Sequence, residues 1–218
     1  MSYKRFMRKS IYCCFIVLFM SCAPTKIVVP LQEGQVQIGA TLGRPKVNSG
    51  SIPLMGIYAA KGFSKSTTAY GAAQLSSALF GTIQLDAGVV KGLRPSSGIL
   101  PGLSYSYGGN LFVSSRDYAT RIYPETGFNV FWQQGAHILN LSVNTWVDPT
   151  WFLTEYNRGQ IMAPSLGAGY RLRYKWIEFQ TEYKIVNPTR EIMIPQAYVP
   201  STFGLGGRGL YWGIALNF

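Results

Sequence analysis

The stretch LYWGIALNF, from Leu210 to Phe218, ends the chain and has the two-residue period of a β-strand. Its large apolar side chains lie on one face, while the other face carries small or polar residues such as Gly213 and Asn217. The apolar face of such a strand points either into the core of a water-soluble sheet protein or outward into lipid. The alternation predicts the strand but fits both arrangements. Another observation is needed to decide whether the apolar face contacts a protein core or lipid.

The position of Phe218 as the last residue supplies that observation. An apolar residue at every second position before a terminal phenylalanine resembles the C-terminal strand of Gram-negative outer-membrane β-barrels. The resemblance covers this stretch alone. It implies an all-β transmembrane barrel in which the apolar face contacts lipid and Phe218 belongs to the insertion signal that the assembly machinery reads.

A β-hairpin with two different faces is predicted upstream, in TGFNVFWQQGAHILNLSV, residues 126–143. A turn at Gln134 and Gly135 predicts that Trp132 pairs with His137, on a face that is otherwise apolar. The opposite face is rich in polar residues: Asn129, Asn140, Ser142 and Asn144. The hairpin therefore has the same division between an apolar and a polar face as the last strand.

A second hairpin, LGAGYRLRYKWIEFQTEYKI at 166–185, concentrates charge on one face. A turn at Lys175 and Trp176 predicts that Arg173 pairs with Glu178. The charged face carries residues of both signs: Arg171, Arg173, Glu178, Glu182 and Lys184. A water-soluble protein would expose this face, whereas a narrow barrel would enclose it in the lumen as a hydrogen-bonded plug. We expect a plug, with a ligand or ion path as the alternative.

The same alternation continued along the chain predicts ten strands and an antiparallel up-and-down barrel. The predicted strands are 35–43, 51–60, 67–76, 79–90, 98–108, 123–133, 136–147, 162–174, 176–187 and 207–218. With the first strand starting in the periplasm, the tight turns lie on the periplasmic side and the long connections at 109–122, 148–161 and 188–206 lie outside, as in outer-membrane barrels. The short connection at 77–78 departs from this pattern, so eight strands are an alternative.

The N-terminus has the layout of a secretory signal peptide. A basic block at 4–9 precedes the apolar run IYCCFIVLFM at 11–20, which is too short for a membrane-spanning helix. The sequence FMSC that ends at Cys22 resembles the lipobox of bacterial lipoproteins, which implies that Cys22 is acylated and becomes the first mature residue. A plain secreted protein with an incidental cysteine is the alternative. We therefore predict a signal peptide at 1–21, a lipid-anchored linker at 22–34 and a barrel at 35–218.

Charge and composition limit the possible partners. The chain has 20 basic and 9 acidic residues, but no basic helix of the kind that binds nucleic acid is predicted. Negative lipid headgroups, including lipopolysaccharide, are the expected counterpart, with other envelope proteins as further candidates. Aromatic and cationic residues in the predicted outer loops could contact either one, or could simply form an aromatic girdle with solvated charges: Trp151, Phe152, Tyr156, Arg158, Arg190 and Arg208.

Catalysis would most plausibly use the single histidine, His137, with Ser142 as the nearest hydroxyl. The two residues differ by an odd number along one strand, so they face opposite sides of the sheet and cannot form a pair. His137 fits an interfacial aromatic belt beside Trp132. Protease chemistry at the outer rim would need a histidine near Asp117, Asp148 or Glu155, and none is there. We predict no catalytic residues, no metal site and no cofactor.

These patterns together predict an outer-membrane β-barrel lipoprotein with a non-catalytic structural or interaction role, such as a subunit or accessory of an envelope complex. Two alternatives stay open. One is a membrane-embedded enzyme that modifies lipid A or phospholipid, and the other is a soluble, all-β, lipid-anchored binding domain.

Overall fold

The computed structural model describes residues 25–47, 50–51, 53–78, 81–114, 120–147, 162–186, 192–194, 197–199 and 208–218. Ten long antiparallel strands dominate it: β1 (Val36–Gly43), β4 (Leu54–Ser64), β5 (Thr67–Gln74), β6 (Thr82–Arg94), β7 (Gly102–Ser114), β8 (Thr120–Gln134), β9 (His137–Val147), β10 (Met162–Tyr174), β11 (Ile177–Val186) and β14 (Arg208–Asn217). Short elements complete it: β2 (Lys46–Val47), β3 (Gly50–Ser51), helix α1 (Leu75–Ala78), β12 (Ile192–Ile194) and β13 (Ala197–Val199).

The ten strands close into a barrel because β1 pairs with β4 on one side and with β14 on the other. At the seam Gln37 lies opposite Asn217, and the backbone N–H of Phe218 donates to the carbonyl of Val36 at 2.8 Å. Every neighbour in the barrel is antiparallel and follows in chain order. The predicted up-and-down barrel and its ten strands are confirmed, and the eight-stranded alternative is wrong.

The barrel wall is apolar outside and polar inside. Along β9 the outward side chain of Leu141 is 51% exposed, whereas the next residue, Ser142, points inward and is 2% exposed. This is the reverse of a water-soluble barrel and is the arrangement of a barrel that crosses a bilayer. The outer face also carries Trp212, Ile214 and Phe179. The predicted division of faces is therefore confirmed, and the last strand points its large residues outward.

The two predicted hairpins differ in how well their registers were predicted. The turn at Lys175 and Trp176 is confirmed, with Arg173 opposite Glu178. The turn between β8 and β9 is at Gly135 and Ala136, so Gln134 rather than Trp132 lies opposite His137. Gly135 has a φ of 57°, and a positive φ at the first central position is a requirement of the tight hairpin turns. The register was wrong by two residues, a shift that leaves every side chain on its predicted face.

The observed strand boundaries differ most from the predicted ones at β5 and β6. The predicted strand at 67–76 ends at Gln74, where helix α1 begins, and the predicted strand at 79–90 is displaced to Thr82–Arg94. Within helix α1 the Ser77 hydroxyl donates to the carbonyl of Gln74 at 2.6 Å. The connection that seemed too short at 77–78 therefore contains a helical turn. No helix in the described part of the chain has the length and apolarity needed to cross a membrane.

Residues 25–31 lie inside the barrel. The sequence analysis assigned 22–34 to a linker, but Ile27, Val28 and Leu31 are buried within the lumen. At the end of this segment the chain reverses into β1 through a turn in which Gln35 N–H donates to the carbonyl of Gln32 at 3.0 Å. We call Thr25–Leu31 the inserted segment. Cys22 lies outside the described residues.

Candidate functional site in the barrel lumen

The two ends of the barrel serve as reference points for the lumen. The turn end carries the tight turns 65–66, 135–136 and 175–176, together with the start of β1 and the end of β14. The loop end is the opposite one, where β9 ends and β10 begins. The inserted segment enters the lumen from the turn end and reaches about the middle of the wall.

Near the turn end the inserted segment is held by apolar packing. Ile27 and Leu31 pack in one cluster with Tyr58 and Val90, and the other side of the segment packs Val28 against Phe131 and Ile138. Burying one such aliphatic side chain contributes about 1.5–3 kcal/mol. This end of the lumen is therefore a small hydrophobic core, formed between the segment and the inner wall.

Backbone groups of the inserted segment are hydrogen-bonded to the wall. Leu31 N–H donates to the Thr68 hydroxyl at 2.7 Å, and the Ser104 hydroxyl donates to the carbonyl of Val28 at 2.6 Å. A buried backbone group that lost its partner would cost about 1–3 kcal/mol. These hydrogen bonds fix the position of the segment along the barrel axis.

Two of the predicted charged residues, Glu182 and Arg171, bind the Thr25 end of the inserted segment. Thr25 donates to Glu182 twice, from its N–H at 2.7 Å and from its hydroxyl at 2.8 Å. Arg171 donates to the carbonyls of Thr25 and Lys26, the latter at 2.9 Å. Two wall residues of opposite charge thus clamp one stretch of backbone.

Arg171 and Arg173 also share one carboxylate. Glu178 accepts from Arg171 at 3.1 Å and from Arg173 at 2.7 Å, and the carboxylate is buried. Lys184 is buried in the same lumen. The structure places all five residues of the predicted group on the inner wall, and two of them, Arg171 and Glu182, contact the inserted segment directly.

An ion pair that the sequence analysis missed joins the segment to the opposite wall. The Lys26 ammonium donates to the Asp86 carboxylate at 2.6 Å, with the two side chains 8% and 1% exposed. Asp86 also accepts from the amides of Gln84 at 3.2 Å and Gln74 at 3.4 Å. The Tyr70 ring lies 5.5 Å from the Lys26 nitrogen. Lys26 therefore links the segment to strand β6 through a buried charge pair.

Toward the loop end the lumen is closed by aromatic rings. Phe112, Tyr123 and Trp146 are buried and in mutual contact, with ring centroids 5.5–6.2 Å apart. Beside them the Asn110 amide donates to Glu125 at 2.9 Å.

The largest described space between segment and wall lies at the turn end, where Val29 and Pro30 face Phe131 across a cavity of about 390 Å³. Two spaces deeper in the lumen are small. One, lined by Lys26 and Trp146, has a volume of about 20 Å³, and another beside Arg171 has about 10 Å³. Each has room for about one water molecule.

The histidine and serine considered for catalysis lie on opposite sides of the wall. His137 is exposed on the outer face, with its Nδ1 2.7 Å from the Tyr170 hydroxyl, whereas Ser142 is inside, within reach of Thr25 and Glu182. Among the described residues, no group of three or more His, Cys, Asp or Glu side chains could hold a metal ion.

Other predicted residues are distributed as follows. Phe218 is exposed at the turn end and closes the seam through its backbone. Arg208 is exposed at the start of β14. The remaining predicted loop residues lie outside the described ranges: Asp117, Asp148, Trp151, Phe152, Glu155, Tyr156, Arg158 and Arg190.

Comparison with known proteins finds similar shapes at low identity. No family model and no curated protein matches the chain. The translocator domain of autotransporter NalP from Neisseria meningitidis is 10% identical with a TM-score of 0.46, covering 100% of this chain and 97% of that one. OprG from Pseudomonas aeruginosa is 10% identical with a TM-score of 0.31, covering 88% and 99%. Ail of Yersinia pestis is 8% identical with a TM-score of 0.28, covering 86% and 100%. The fold assignment rests on this chain's own strand pairing and apolar outer face: it is a transmembrane β-barrel whose lumen holds the inserted segment.

Proposed function

We propose that this chain is an outer-membrane barrel lipoprotein with a structural or interaction role, a subunit or accessory of an envelope complex. In this proposal it neither conducts solutes nor catalyses a reaction. The observation that carries the proposal is the filled lumen, in which Thr25–Leu31 is bound to the wall by packing, backbone hydrogen bonds and the Lys26–Asp86 ion pair.

A closed lumen argues against a channel. A solute path would require removal of the inserted segment, which would expose Ile27, Val28 and Leu31 and separate Lys26 from Asp86. Breaking a buried ion pair by removing one partner costs about 3–5 kcal/mol, before the apolar contacts are counted. The barrel wall and its two ends, rather than a pore, are then the surfaces that meet partners.

The enzyme alternative has little support from the geometry. A hydrolase of lipid A or phospholipid needs a nucleophile and a base within hydrogen-bond reach of each other, on the side of the wall that lipid contacts. His137 is on that side, but Ser142 is inside and hydrogen-bonded to Glu182. A change in extracted lipid A that depends on His137 would be the result that favours the enzyme.

The lipid anchor at Cys22 belongs to the same proposal. Cys22 is three residues before Thr25, and three residues span at most about 10 Å. Thr25 binds Glu182, the sixth residue of β11 counted from the turn end. An acyl group on Cys22 would therefore be attached within about 10 Å of the buried Thr25.

Three measurements test the proposal. In planar bilayers the purified barrel should show no steady conductance, and discrete channels in the intact protein would refute the closed-lumen role. Co-purification from mild detergent should retain an envelope protein, and a chain that is always isolated alone would remove the interaction role. Metabolic labelling with a fatty-acid analogue should be lost in Cys22→Ser, and unchanged labelling would exclude acylation at this residue.

A further inference from the structure

The outer wall of the barrel carries two neighbouring lysines on an otherwise apolar surface. Of the described strand residues that point outward, four are Lys or Arg: Lys61 on β4, Lys91 and Arg94 on β6, and Arg208 at the first position of β14. None of the described outward-facing strand residues is an Asp or Glu. Arg94 ends β6 and donates to the carbonyl of Pro101, and Arg208 begins β14, so both lie at strand ends. Lys61 and Lys91 are the outward cations with apolar wall residues on both sides.

The two lysines flank one strand, β5. Lys61 lies opposite Ala69 of that strand, and Lys91 lies opposite Thr67 on its other side. Two strand spacings and an offset of two residues separate their Cα atoms by about 12 Å. Lysine side chains are long enough for both ammonium groups to reach one anion placed between them.

Apolar residues lie on both sides of each lysine along its strand. Lys61 stands between Ala59 and the exposed Phe63, and Lys91 stands between Val89 and the exposed Leu93. A cation on the lipid-facing wall is costly unless it meets an anion or reaches the interface. In the described part of the chain neither lysine has a carboxylate partner, and Lys61 contacts only the Phe63 ring, at 5.9 Å. The described part of the chain therefore supplies no anion for these two lysines, and a bilayer lipid can supply one.

The wall between the lysines is also shaped to receive a chain-like ligand. The outward residues of β5 are all small, namely Thr67, Ala69, Gly71 and Ala73. Gly71 lies between Ala59 on β4 and Ala87 on β6, so the depression extends to both neighbouring strands. An acyl chain could lie along this depression while its phosphate meets the lysines.

We propose that Lys61 and Lys91 bind the phosphate of an anionic membrane lipid, whose acyl chain lies on the small residues of β5. The anion is taken from the bilayer because both lysines point into it and both lie at the turn-end half of their strands. This site depends on the transmembrane barrel but not on the inserted segment or on a protein partner. If the lipid site proves absent, the proposed function is unaffected. If the proposed function proves wrong, the lipid site is unaffected.

Native mass spectrometry of the folded barrel with added phosphatidylglycerol tests the site. A lysine near lipid headgroups contributes about 1 kcal/mol, so Lys61→Gln with Lys91→Gln should weaken retention of phosphatidylglycerol by roughly 30-fold. The matched control is Lys175→Gln with Arg44→Gln, which removes two exposed cations away from β5. The control should retain the lipid as the unaltered chain does.

A second variant tests the depression with the charges kept. Ala69→Leu should also reduce retention, because its side chain would occupy the space proposed for the acyl chain, whereas Lys61→Arg with Lys91→Arg should preserve it. Folding of every variant is checked by its heat-modifiable mobility on gels. Equal retention in the glutamine variant and the unaltered chain, or an equal loss in the control, would overturn the proposal. If the glutamine variant does not fold, unchanged retention in Ala69→Leu would overturn it.

Discussion

Replacing Asp86 by asparagine should release the inserted segment without unfolding the barrel. The change leaves the Lys26 ammonium buried without the carboxylate that it contacts at 2.6 Å. Removing one partner of a buried pair costs about 3–5 kcal/mol. Because Lys26 is on the segment and not on a strand, its charge can return to water when the segment withdraws. The free-energy cost therefore opposes insertion of the segment rather than folding of the barrel.

The size of the effect can be worked out from this cost. A change of 3–5 kcal/mol lowers the ratio of inserted to withdrawn segment by about 10²–10⁴-fold. Lys26→Met should be milder, because Asp86 keeps the Gln74 and Gln84 amides as donors. Combining Lys26→Met with Asp86→Asn removes both charges and should restore much of the insertion, since a charge pair replaced on both sides is often nearly neutral.

Trypsin digestion and conductance measurements show whether the segment has left the lumen. In the unaltered barrel the bond after Lys26 is buried and should resist trypsin, while in Asp86→Asn it should be cut at a gel mobility that still shows a folded barrel. Channel openings in planar bilayers should appear in the same variant. If Asp86→Asn folds, resists trypsin and stays closed, the ion pair does not hold the segment and the reasoning is wrong.

Three further expectations follow from the same structure. Leu141→Arg should cost about 2–4 kcal/mol if this outward residue lies near the bilayer midplane, whereas Ser142→Ala should be mild, as measured by folded yield on gels. Deleting Phe218 should lower the outer-membrane level in fractionated cells, and normal accumulation of a soluble chain would contradict insertion. His137→Ala should leave extracted lipid A unchanged by mass spectrometry.

The faces of the barrel could be predicted from the sequence because the strand period is local. Leu141 and Ser142 were assigned to opposite sides by their position in an alternating run, and that assignment survived a register error of two residues at the turn beside Gly135. The register itself was less certain, because either Gln134–Gly135 or Gly135–Ala136 can form a two-residue turn. The boundaries near α1 were missed since a single helical turn has no periodicity to detect.

For the charged group, the sequence could predict only the contacts that form within the β10–β11 hairpin. Arg173 and Glu178 meet across one tight turn, so their contact follows from local pairing. The contact between Thr25 and Glu182 spans 157 residues of sequence and depends on how the barrel closes. Sequence alternation carries no information on such a contact, because the segment pairs with no strand and has no face of its own.

One signal in the sequence did point to the inserted segment. Asp86 lies on the inner face of its strand, and its neighbours on the adjacent strands are Ala72 and Asn110, neither of which is a cation. A carboxylate enclosed in a lumen needs a charged or hydrogen-bonded partner, since an isolated buried charge is too costly. The wall offers this acid the amides of Gln74 and Gln84 but no adjacent cation, which points to a cationic partner from chain that is not part of the wall. The segment before β1 contains one basic residue within the described range, Lys26, and this is the residue that reaches Asp86.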